Sequence, residues 1–449
     1  MSESCSTGRG LTGLPNELLA AICSYLCAHC VCKRTTNSTW PLGAEAEWWD
    51  YGRPASGSAG IGPAGLLNLN RVCKSLRAVA EPFLYHFPRT SRRRHLWILV
   101  DTLSNRRDLA LRVAAVDVAY PLRAEEMHPL PRSLPPSVLD AAKESVREAR
   151  SMMLRDGNGE DRIVDLDDLD EVVKHAALVS MLLQLVPNAE AARFRLHSQA
   201  FSGLAGIILS RTPPQASLRS LAFGSLADDG HLMLDQTAPV LRLAPNLEAL
   251  HFDNCAAVSS LFAASLDRGS PAGQSLLSGL AELSLADSRL SVAALAALLN
   301  AVGPRLSRFK IRRSAPTLSF GDVLTVLRPW KDTLTELTIL DSHGGLSEPI
   351  GSVTGILLLR DFHALETLCV EAADLEFLDF LSRQPGVSPL FPPSLRNVRL
   401  RGDPCRVSAV TRSPLLCLDP RKGRRLNISL GQISSDASPP GEVLTLDDR

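Results

Sequence analysis

A short phrase of apolar residues returns along the chain at a nearly constant interval. Each copy has a leucine or another apolar residue, two variable residues, a second apolar residue, one variable residue and a third apolar residue. The clear copies are Leu218-Leu221-Phe223, Leu247-Leu250-Phe252, Leu280-Leu283-Leu285, Leu306-Phe309-Ile311, Leu334-Leu337-Ile339, Leu365-Leu368-Val370 and Leu395-Val398-Leu400, and the weaker ones are Ala189-Ala192-Phe194 and Val113-Val116-Val118. From residue 189 onward the copies begin 26 to 33 residues apart. Self-similarity at such an interval predicts stacked units, each of which buries its apolar side against the next.

Helical patterns fill the intervals between the phrases, at 291–302, 322–330 and 352–362, so each unit is predicted to be a strand, a turn and a helix. The phrase resembles the leucine-rich repeat, with Cys255 at the repeat's asparagine-or-cysteine position. Ser288, Ser314 and Ser342 stand at the equivalent place, where a hydroxyl can bond to the backbone of the turn. The resemblance implies an α/β solenoid with parallel strands on the concave side and helices on the convex side. A doubly wound α/β domain also alternates strand and helix, but the fixed phrase argues against it.

The residues between the apolar positions of each strand are predicted to line the concave face. They include both signs of charge, which favours a protein partner over a polyanion. The predicted target-binding residues are Arg219, Glu248, Glu282, Arg308, Lys310, Glu336, Glu366, Arg396 and Arg399.

The N-terminal part of the chain contains two apolar helical stretches. The first, residues 12–26, has apolar residues at spacings of three and four after Pro15, whose missing N–H is tolerated in the first turn of a helix. The second, residues 66–86, has a similar stripe that ends in a bulky Phe-Leu-Tyr cluster. Short helices cannot bury all of this surface against one another, so part of it is predicted to face another chain.

The two stretches, LPNELLAAICSYL and LLNLNRVCKSLRAVAEPFLYH, resemble the F-box, and the residues that follow up to 118 are similar to the segment after the F-box in many fungal members. This family implies docking onto the Skp-type adaptor of a cullin-RING ubiquitin ligase. By position in the motif, the adaptor-contacting residues would be Leu14, Pro15, Leu18, Ile22, Leu26, Leu69, Val72, Cys73 and Leu76, with Leu84 in support. On periodicity alone, the same residues would be the core of an ordinary small helical domain.

These resemblances divide the chain into five regions. They are an F-box at 11–86 with an inserted loop at 27–64, linker helices and a first atypical repeat at 87–120, a partly disordered insertion at 121–172, the leucine-rich-repeat array at 173–404, and a cap with a disordered tail at 405–449. In the family the two F-box segments are separated by a short connection, whereas here residues 27–64 intervene. Long surface insertions add little loop-closure entropy.

Cysteine and histidine residues crowd the start of that insertion. Cys27 and Cys30 have the spacing of a zinc-ligand pair, with His29 and Cys32 beside them. No second matching pair follows in the loop, so the sequence predicts structural thiols, no metal site and no cofactor. The acidic run at 156–167 lacks the glycine that a calcium loop needs, and we predict no calcium site there.

Composition excludes several classes of function. Lys plus Arg and Asp plus Glu both number 48, so the chain has no net field to attract nucleic acid or an anionic membrane. We predict neither a secretory signal nor a membrane span, because no apolar run approaches the required length of about 18 residues. The expected location is cytoplasmic, nuclear or both. Hydrolase, phosphate-loop and zinc-protease motifs are lacking, and we predict a non-catalytic protein.

The patterns together favour a substrate-recognition subunit of a Skp–cullin–F-box ubiquitin ligase. It would bind the adaptor and cullin complex through the F-box and an unidentified target protein through the repeats. The alternative is a repeat scaffold without ubiquitin transfer, whose N-terminal helices cap the solenoid. Burial of Leu18, Ile22, Val72 and Leu76 within the same chain would favour the alternative.

Overall fold

The computed structural model divides the chain into two compact units. Unit 1 is Met1–Ala222 with Leu243–Asn246, and unit 2 is Phe223–Arg242 with Leu247–Arg449. The residues that the structure describes are 11–27, 29–31, 63–90, 93–119, 175, 178–195, 214–224, 232–257, 277–313, 318–341, 358–371, 391–402 and 427–432. The predicted insertion at 121–172, most of the inserted loop at 27–64 and most of the tail at 405–449 lie outside these ranges.

Unit 1 begins with three short helices. A 3₁₀ turn, Leu11–Gly13, precedes α1 (Asn16–Leu26), and α2 (Pro63–Val72) and α3 (Lys74–Leu84) follow. The three helices pack against one another, and we call them, with their described flanking residues from 11 to 88, the helical module. Cys73 separates α2 from α3, and its Sγ accepts a hydrogen bond from the Leu76 N–H at 3.5 Å. The stretch 66–86 therefore forms two helices, with Cys73 as the N-cap of the second.

The strands of unit 1 follow the helical module. β1 (Arg89–Thr90) pairs in parallel with β2 (Ala115–Ala119), and β2 pairs in parallel with β3 (Ala191–Arg195). Between β1 and β2 in sequence lie α4 (Arg93–Asn105) and α5 (Arg107–Ala110). β4 (Ser220–Gly224) is next in the strand order and contains the boundary between the units. The weak phrases that begin at 113 and 189 thus form neighbouring strands, although the insertion at 121–172 separates them in sequence.

Unit 2 contains a parallel sheet whose described strands follow chain order. A separate pair, β5 (Leu232–Met233) and β7 (Cys255–Ala257), lies outside this sheet. The strands of the sheet are β6 (Ala249–Asp253), β8 (Glu282–Ser288), β9 (Arg308–Arg313), β10 (Glu336–Asp341), β11 (Thr367–Glu371), β12 (Asn397–Gly402) and β13 (Asn427–Gln432). The predicted mixed α/β architecture, with one parallel strand per repeat, is confirmed for this unit.

The apolar phrase residues form the buried side of this sheet. The strand register aligns one row of them across the unit: Leu250, Leu283, Phe309, Leu337, Leu368 and Val398. Every phrase residue whose side chain is described is at most 6% exposed. Full burial of one such side chain contributes about 1.5–3 kcal/mol, so these rows are the main stabilising feature of the repeats.

Short helices connect the strands of unit 2. They are α6 (Ala238–Leu241), α7 (Val292–Asn300) and α8 (Phe320–Leu327), with 3₁₀ turns at Leu234–Thr237 and Arg328–Trp330. Ser291 caps α7, and Ser319 forms a capping box with Asp322 at the start of α8. The predicted helices at 291–302 and 322–330 are confirmed. Of the predicted helix at 352–362, residues 358 and 359 are helical and residues 352–357 are outside the described ranges.

The backbone conformation near the end of the strand recurs in two repeats. Asn254 and Asp287 have φ values of 56° and 47°, in the left-handed region that asparagine and aspartate tolerate better than most residues. Each stands one residue before the asparagine-or-cysteine position of its repeat, which is Cys255 or Ser288. The Ser288 Oγ donates to the Ala286 carbonyl at 3.0 Å, as predicted for a hydroxyl at this place. Ser314 and Ser342 lie outside the described residues.

The parallel pairing continues beyond residue 404, where the predicted array ended. β13 pairs with β12, and Ile428 lies opposite Val398, 30 residues earlier. In the sequence, Arg425 stands where the first leucine of the phrase would be, and for this reason the copy escaped recognition. In the part of the chain that the structure describes, helices fall short of the length and apolar character that crossing a bilayer requires.

Candidate functional site

The helical module has a small core of its own. Cys23, Cys27, Leu66 and Ala80 are buried together, and Phe83 packs against them. Further half-buried residues that pack on the same core are Leu26, Cys30, Leu69, Val79 and Leu84. The module therefore uses one side of its helices for internal packing.

Outside this core, the helical module exposes large apolar side chains. Leu18, Tyr25 and Val72 are 52%, 64% and 65% exposed, and Leu11 and Leu67 are 47% and 42% exposed. These five, which we call the exposed apolar set, are the majority of the eight large apolar side chains that are exposed among the described residues. Leu18 and Tyr25 are seven residues apart on α1, which places them on one helix face. Such a concentration is typical of a surface that another chain covers.

The predicted adaptor-contacting residues include both exposed residues and residues of the module's core. Pro15, Leu18 and Val72 are exposed, and Leu14 and Ile22 are half-buried. Leu26, Leu69 and Leu84 face the module's own core, Leu76 is 3% exposed, and Cys73 caps α3. The sequence prediction did not include Leu11, Tyr25 and Leu67, although Tyr25 continues the helical spacing of Leu18 and Ile22. Burial within the chain, the feature that would favour a cap, applies fully to Leu76 and not to Leu18 or Val72.

The polar face of the unit 2 sheet is arranged in two rows. One row runs Ala249, Glu282, Arg308, Glu336, Thr367 and Asn397, and the other runs His251, Ser284, Lys310, Thr338, Cys369 and Arg399. Neighbouring positions within a row lie on adjacent strands, about 4.8 Å apart. Side chains of different repeats therefore meet along each row.

An ion-pair network crosses three of these strands. Glu282 contacts Arg308 at 2.9 Å and Lys310 at 3.9 Å, and Lys310 contacts Glu336 at 3.2 Å. Burial by itself raises the pKa of Glu282, but the charges of His251, Lys310 and Arg308 outweigh burial and hold the pKa below its ordinary value. Glu282 is consequently a carboxylate at neutral pH, fixed by its neighbours.

The predicted target-binding residues differ in accessibility. Arg219, Glu366, Arg396 and Arg399 are exposed, whereas Glu248, Arg308 and Glu336 are half-buried. Glu282 and Lys310 are 3% and 7% exposed, because they pack against each other and against adjacent repeats. These two hold the surface together, and their exposed neighbours are the groups that a partner could reach. Arg219 belongs to unit 1.

Unit 1 contains a buried ion pair that the sequence patterns did not reveal. Asp117 on β2 and Arg193 on β3 are 1% and 2% exposed, and the Arg193 guanidinium donates two hydrogen bonds to the Asp117 carboxylate. Arg89 and Arg195 contact the same carboxylate at 3.3 and 3.6 Å. Burial raises the pKa of Asp117, but Arg193, Arg195 and Arg89 together lower it below its usual range. Asp117 and Arg193 stand at the same place in two neighbouring phrases, so the pairing follows from the repeat register.

A cluster of cysteine and histidine side chains lies at the ends of α1 and α3. Cys27 is the C-cap of α1, Cys30 and His29 follow it, and His86 lies just after the end of α3. The Cys27 Sγ and Cys30 Sγ lie 3.8 and 3.4 Å from the His86 Nδ1. A hydrogen bond with Cys30, followed by contacts with His86, lowers the pKa of Cys27 to about 4 in spite of burial. Cys32, which the sequence placed beside this group, is outside the described residues.

The chain matches no protein-family model and no curated protein. Among the solved structures that match is the leucine-rich repeat-containing protein LegL7 from Legionella pneumophila, with a TM-score of 0.25 and 13% identity. The match covers 51% of this chain and 92% of that protein. At this level of similarity the fold of the chain rests on its own strand order and repeated phrase.

Proposed function

We propose that this protein is a substrate-recognition subunit of a Skp–cullin–F-box ubiquitin ligase. The helical module would bind the Skp-type adaptor, and a target protein would bind the polar face of the leucine-rich repeats. The observation that supports the proposal most directly is the exposed apolar set on a module that already has a core. Large apolar side chains that stay exposed on a module with its own core are typical of a surface that another chain covers.

The proposed role is positional and non-catalytic. A target held on the repeats would be kept at a high effective concentration near the charged carrier of the ligase, whose chemistry belongs to other subunits. The polar rows of unit 2 suit a folded or extended protein with both signs of charge, since Glu282, Lys310 and Glu336 alternate across adjacent strands.

The direct test is capture of a Skp-type adaptor by the full-length chain. Leu18→Asp and Val72→Asp place a charge in the exposed apolar set, so adaptor capture should fall at least about tenfold, equivalent to about 1.4 kcal/mol. Ile98→Asp is the matched control, because Ile98 is 49% exposed on α4, outside the helical module. Wild-type protein that fails to capture the adaptor, or equal losses in all three variants, would remove the proposal.

The alternative, a repeat scaffold without ubiquitin transfer, draws on one observation. Leu76, which the F-box resemblance assigns to the adaptor, is buried within the chain. The scaffold hypothesis predicts that the exposed apolar set binds no adaptor and that the target is not ubiquitinated. Reconstitution of ubiquitin transfer with adaptor, cullin and a captured target separates the two functions.

A further inference from the structure

Two separate stretches of sequence bring four potential metal ligands into one place. Cys27, His29 and Cys30 follow α1, and His86 follows α3, between 56 and 59 residues away from the cysteines. One ligand atom from each residue lies within 4.8 Å of all the others. From this convergence we propose that Cys27, His29, Cys30 and His86 bind a structural Zn²⁺ ion.

Three sulfur-to-nitrogen distances lie close to those of a tetrahedral site. With Zn–S bonds of about 2.3 Å and Zn–N bonds of about 2.0–2.1 Å, the sulfur-to-nitrogen edges of a tetrahedron are about 3.5 Å. The corresponding contacts are 3.8 Å from Cys27 Sγ to His86 Nδ1, 3.4 Å from Cys30 Sγ to His86 Nδ1, and 3.8 Å from Cys30 Sγ to His29 Nδ1. These three edges differ from the tetrahedral value by a few tenths of an ångström at most, and the other three pairs lie within 4.8 Å, against tetrahedral edges of about 3.3–3.8 Å.

The chemistry of the ligands selects the metal and its role. Two thiolates and two imidazoles in tetrahedral geometry are typical of zinc, because softer sulfur ligands disfavour magnesium and calcium. Four protein ligands leave no open position for water or substrate, so the ion is structural and not catalytic. Both imidazoles approach through Nδ1, which leaves each Nε2–H available for a second hydrogen bond.

The surroundings suit a structural metal site. Cys27 is 2% exposed and belongs to the core with Cys23, Leu66 and Ala80, whereas Cys30, His29 and His86 are half-buried and give access from the surface. The Phe83 ring lies 4.9 Å from the His86 ring and the His29 ring 5.8 Å from it. Cys23 shares the core but is not a member of the cluster, so burial of a cysteine in this module does not by itself gather imidazoles around it.

A metal at this place would fasten the end of α1 to the end of α3. The residues in between include the long inserted loop, and fixing both sides of a long loop removes conformational entropy from the unfolded chain. The ion would thereby hold α1, which presents Leu18 and Tyr25, against α3. This inference concerns metal binding alone and stands whether or not the exposed apolar set binds a Skp-type adaptor.

The first measurement is the metal content of the full-length protein. Protein produced with zinc in the medium and dialysed extensively should retain about one zinc per chain. Replacement by Co²⁺ should give the visible bands of tetrahedral cobalt and a thiolate-to-cobalt charge-transfer band. Protein that retains no zinc and gives no such spectrum would overturn the proposal.

Substitutions then assign the ligands. Loss of a ligand should weaken Co²⁺ and Zn²⁺ binding by more than about tenfold, because loss of a residue that only supports a ligand already costs about that much. The variants to compare are Cys27→Ser, Cys30→Ser, His29→Asn and His86→Asn. Cys73→Ser is the matched control, since Cys73 is a half-buried cysteine of the same module and its sulfur only caps α3. Equal metal binding by the control and the four variants would contradict the assignment.

A measurement on the wild-type chain avoids variants that fail to fold. Alkylation followed by peptide mass spectrometry should show the half-buried Cys30 protected with zinc bound and rapidly modified after a chelator is added, whereas Cys27 is only 2% exposed and should react slowly in both states. The rate at Cys73 should change much less. A disulfide between Cys27 and Cys30 in freshly purified protein would contradict the metal site. Equal alkylation of Cys30 with and without chelator would contradict it as well.

Discussion

The helical module of unit 1 and the strand repeats of unit 2 place their apolar residues in opposite ways. In the repeats, every phrase residue whose side chain is described is buried, because each strand lies against the strand before it and the strand after it. In the helical module, Leu18, Tyr25 and Val72 remain more than half exposed although the module has its own core. The apolar residues of a repeat unit are covered by its neighbours in sequence, whereas these three residues of the module remain exposed to solvent. The first surface contributes stability, and in the function proposed above the second would contribute recognition.

The largest expected effect lies in the buried row of unit 2. Phe309→Ala should lower the free energy of unfolding by about 3–5 kcal/mol, because it removes transfer energy and leaves a cavity between two packed neighbours. Phe309 is fully buried on β9. Leu18→Ala, at an exposed apolar residue, should change stability by less than about 0.5 kcal/mol. Denaturant titration of both variants measures the contrast, and equal losses would contradict the division between the two regions.

The ion-pair network of unit 2 should give the next largest effect. Glu282→Gln should cost about 1–3 kcal/mol at neutral pH, since it leaves Lys310 without one of its carboxylate partners in a buried place. The pKa of Glu282 is lower in the folded chain than its ordinary value of 4.5. Its contribution to stability is therefore present above pH 4.5 and lost as the pH falls through the folded-state pKa.

Thermal unfolding as a function of pH checks this sign. The difference in stability between wild type and Glu282→Gln should shrink as the solution is acidified through that range. A difference that grows on acidification would show that the carboxylate is not held ionised by its neighbours.

The exposed side of the helical module should show the reverse balance of binding and stability. Tyr25→Ala should weaken adaptor binding about tenfold, because tyrosine is enriched among the residues that dominate interface energies. Its effect on unfolding should stay below about 0.5 kcal/mol, since Tyr25 is 64% exposed. Calorimetric titration with a Skp-type adaptor and denaturant titration separate the two quantities. Lost stability with unchanged adaptor binding would assign Tyr25 to the interior of the module.

The smallest expected effect concerns the break between α2 and α3. Cys73→Ser should leave stability unchanged or raise it by about 0.5 kcal/mol, because a serine hydroxyl is a better N-cap acceptor than a thiol. Cys73→Val, of similar size but without an acceptor, should lower it by about 1 kcal/mol. Circular dichroism during thermal unfolding compares the two, and a serine variant less stable than the valine variant would rule out the capping role.

The repeats were predictable because the apolar positions of each phrase identify the residues that are buried. The three apolar positions of a phrase can be recognised without information from the rest of the chain, and the strands β6 and β8 to β12 lie where the phrase predicts them. The sequence did not predict β13, because Arg425 stands in place of the first leucine of the phrase. It did not predict β1 either, because a strand of two residues is too short to show an apolar pattern. The phrase fixes which side of a strand is buried, and the register of neighbouring repeats then decides that Asp117 meets Arg193.

The candidate sites were predictable only in part. Helical spacing identifies an apolar stripe, but it does not decide which residues of the stripe face inward. The sequence therefore predicted the same adaptor contact for the buried Leu76 and for the exposed Leu18. The cysteine–histidine cluster was out of reach for a different reason. His86 joins Cys27 and Cys30 only after α1 and α3 have packed, and no local spacing links residues that far apart.

The shared register of the parallel strands has a consequence for how such a chain can diversify. Excision of residues 282–307, one period between Glu282 and Arg308, would bring β9 beside β6 with Leu250 opposite Phe309 and Ala249 opposite Arg308. A leucine would again lie beside a phenylalanine on the buried side of the sheet, while the order of charged residues on its polar face would be new. Duplication or loss of whole periods would therefore change the residues of the polar face while the buried contacts between leucine and phenylalanine are kept.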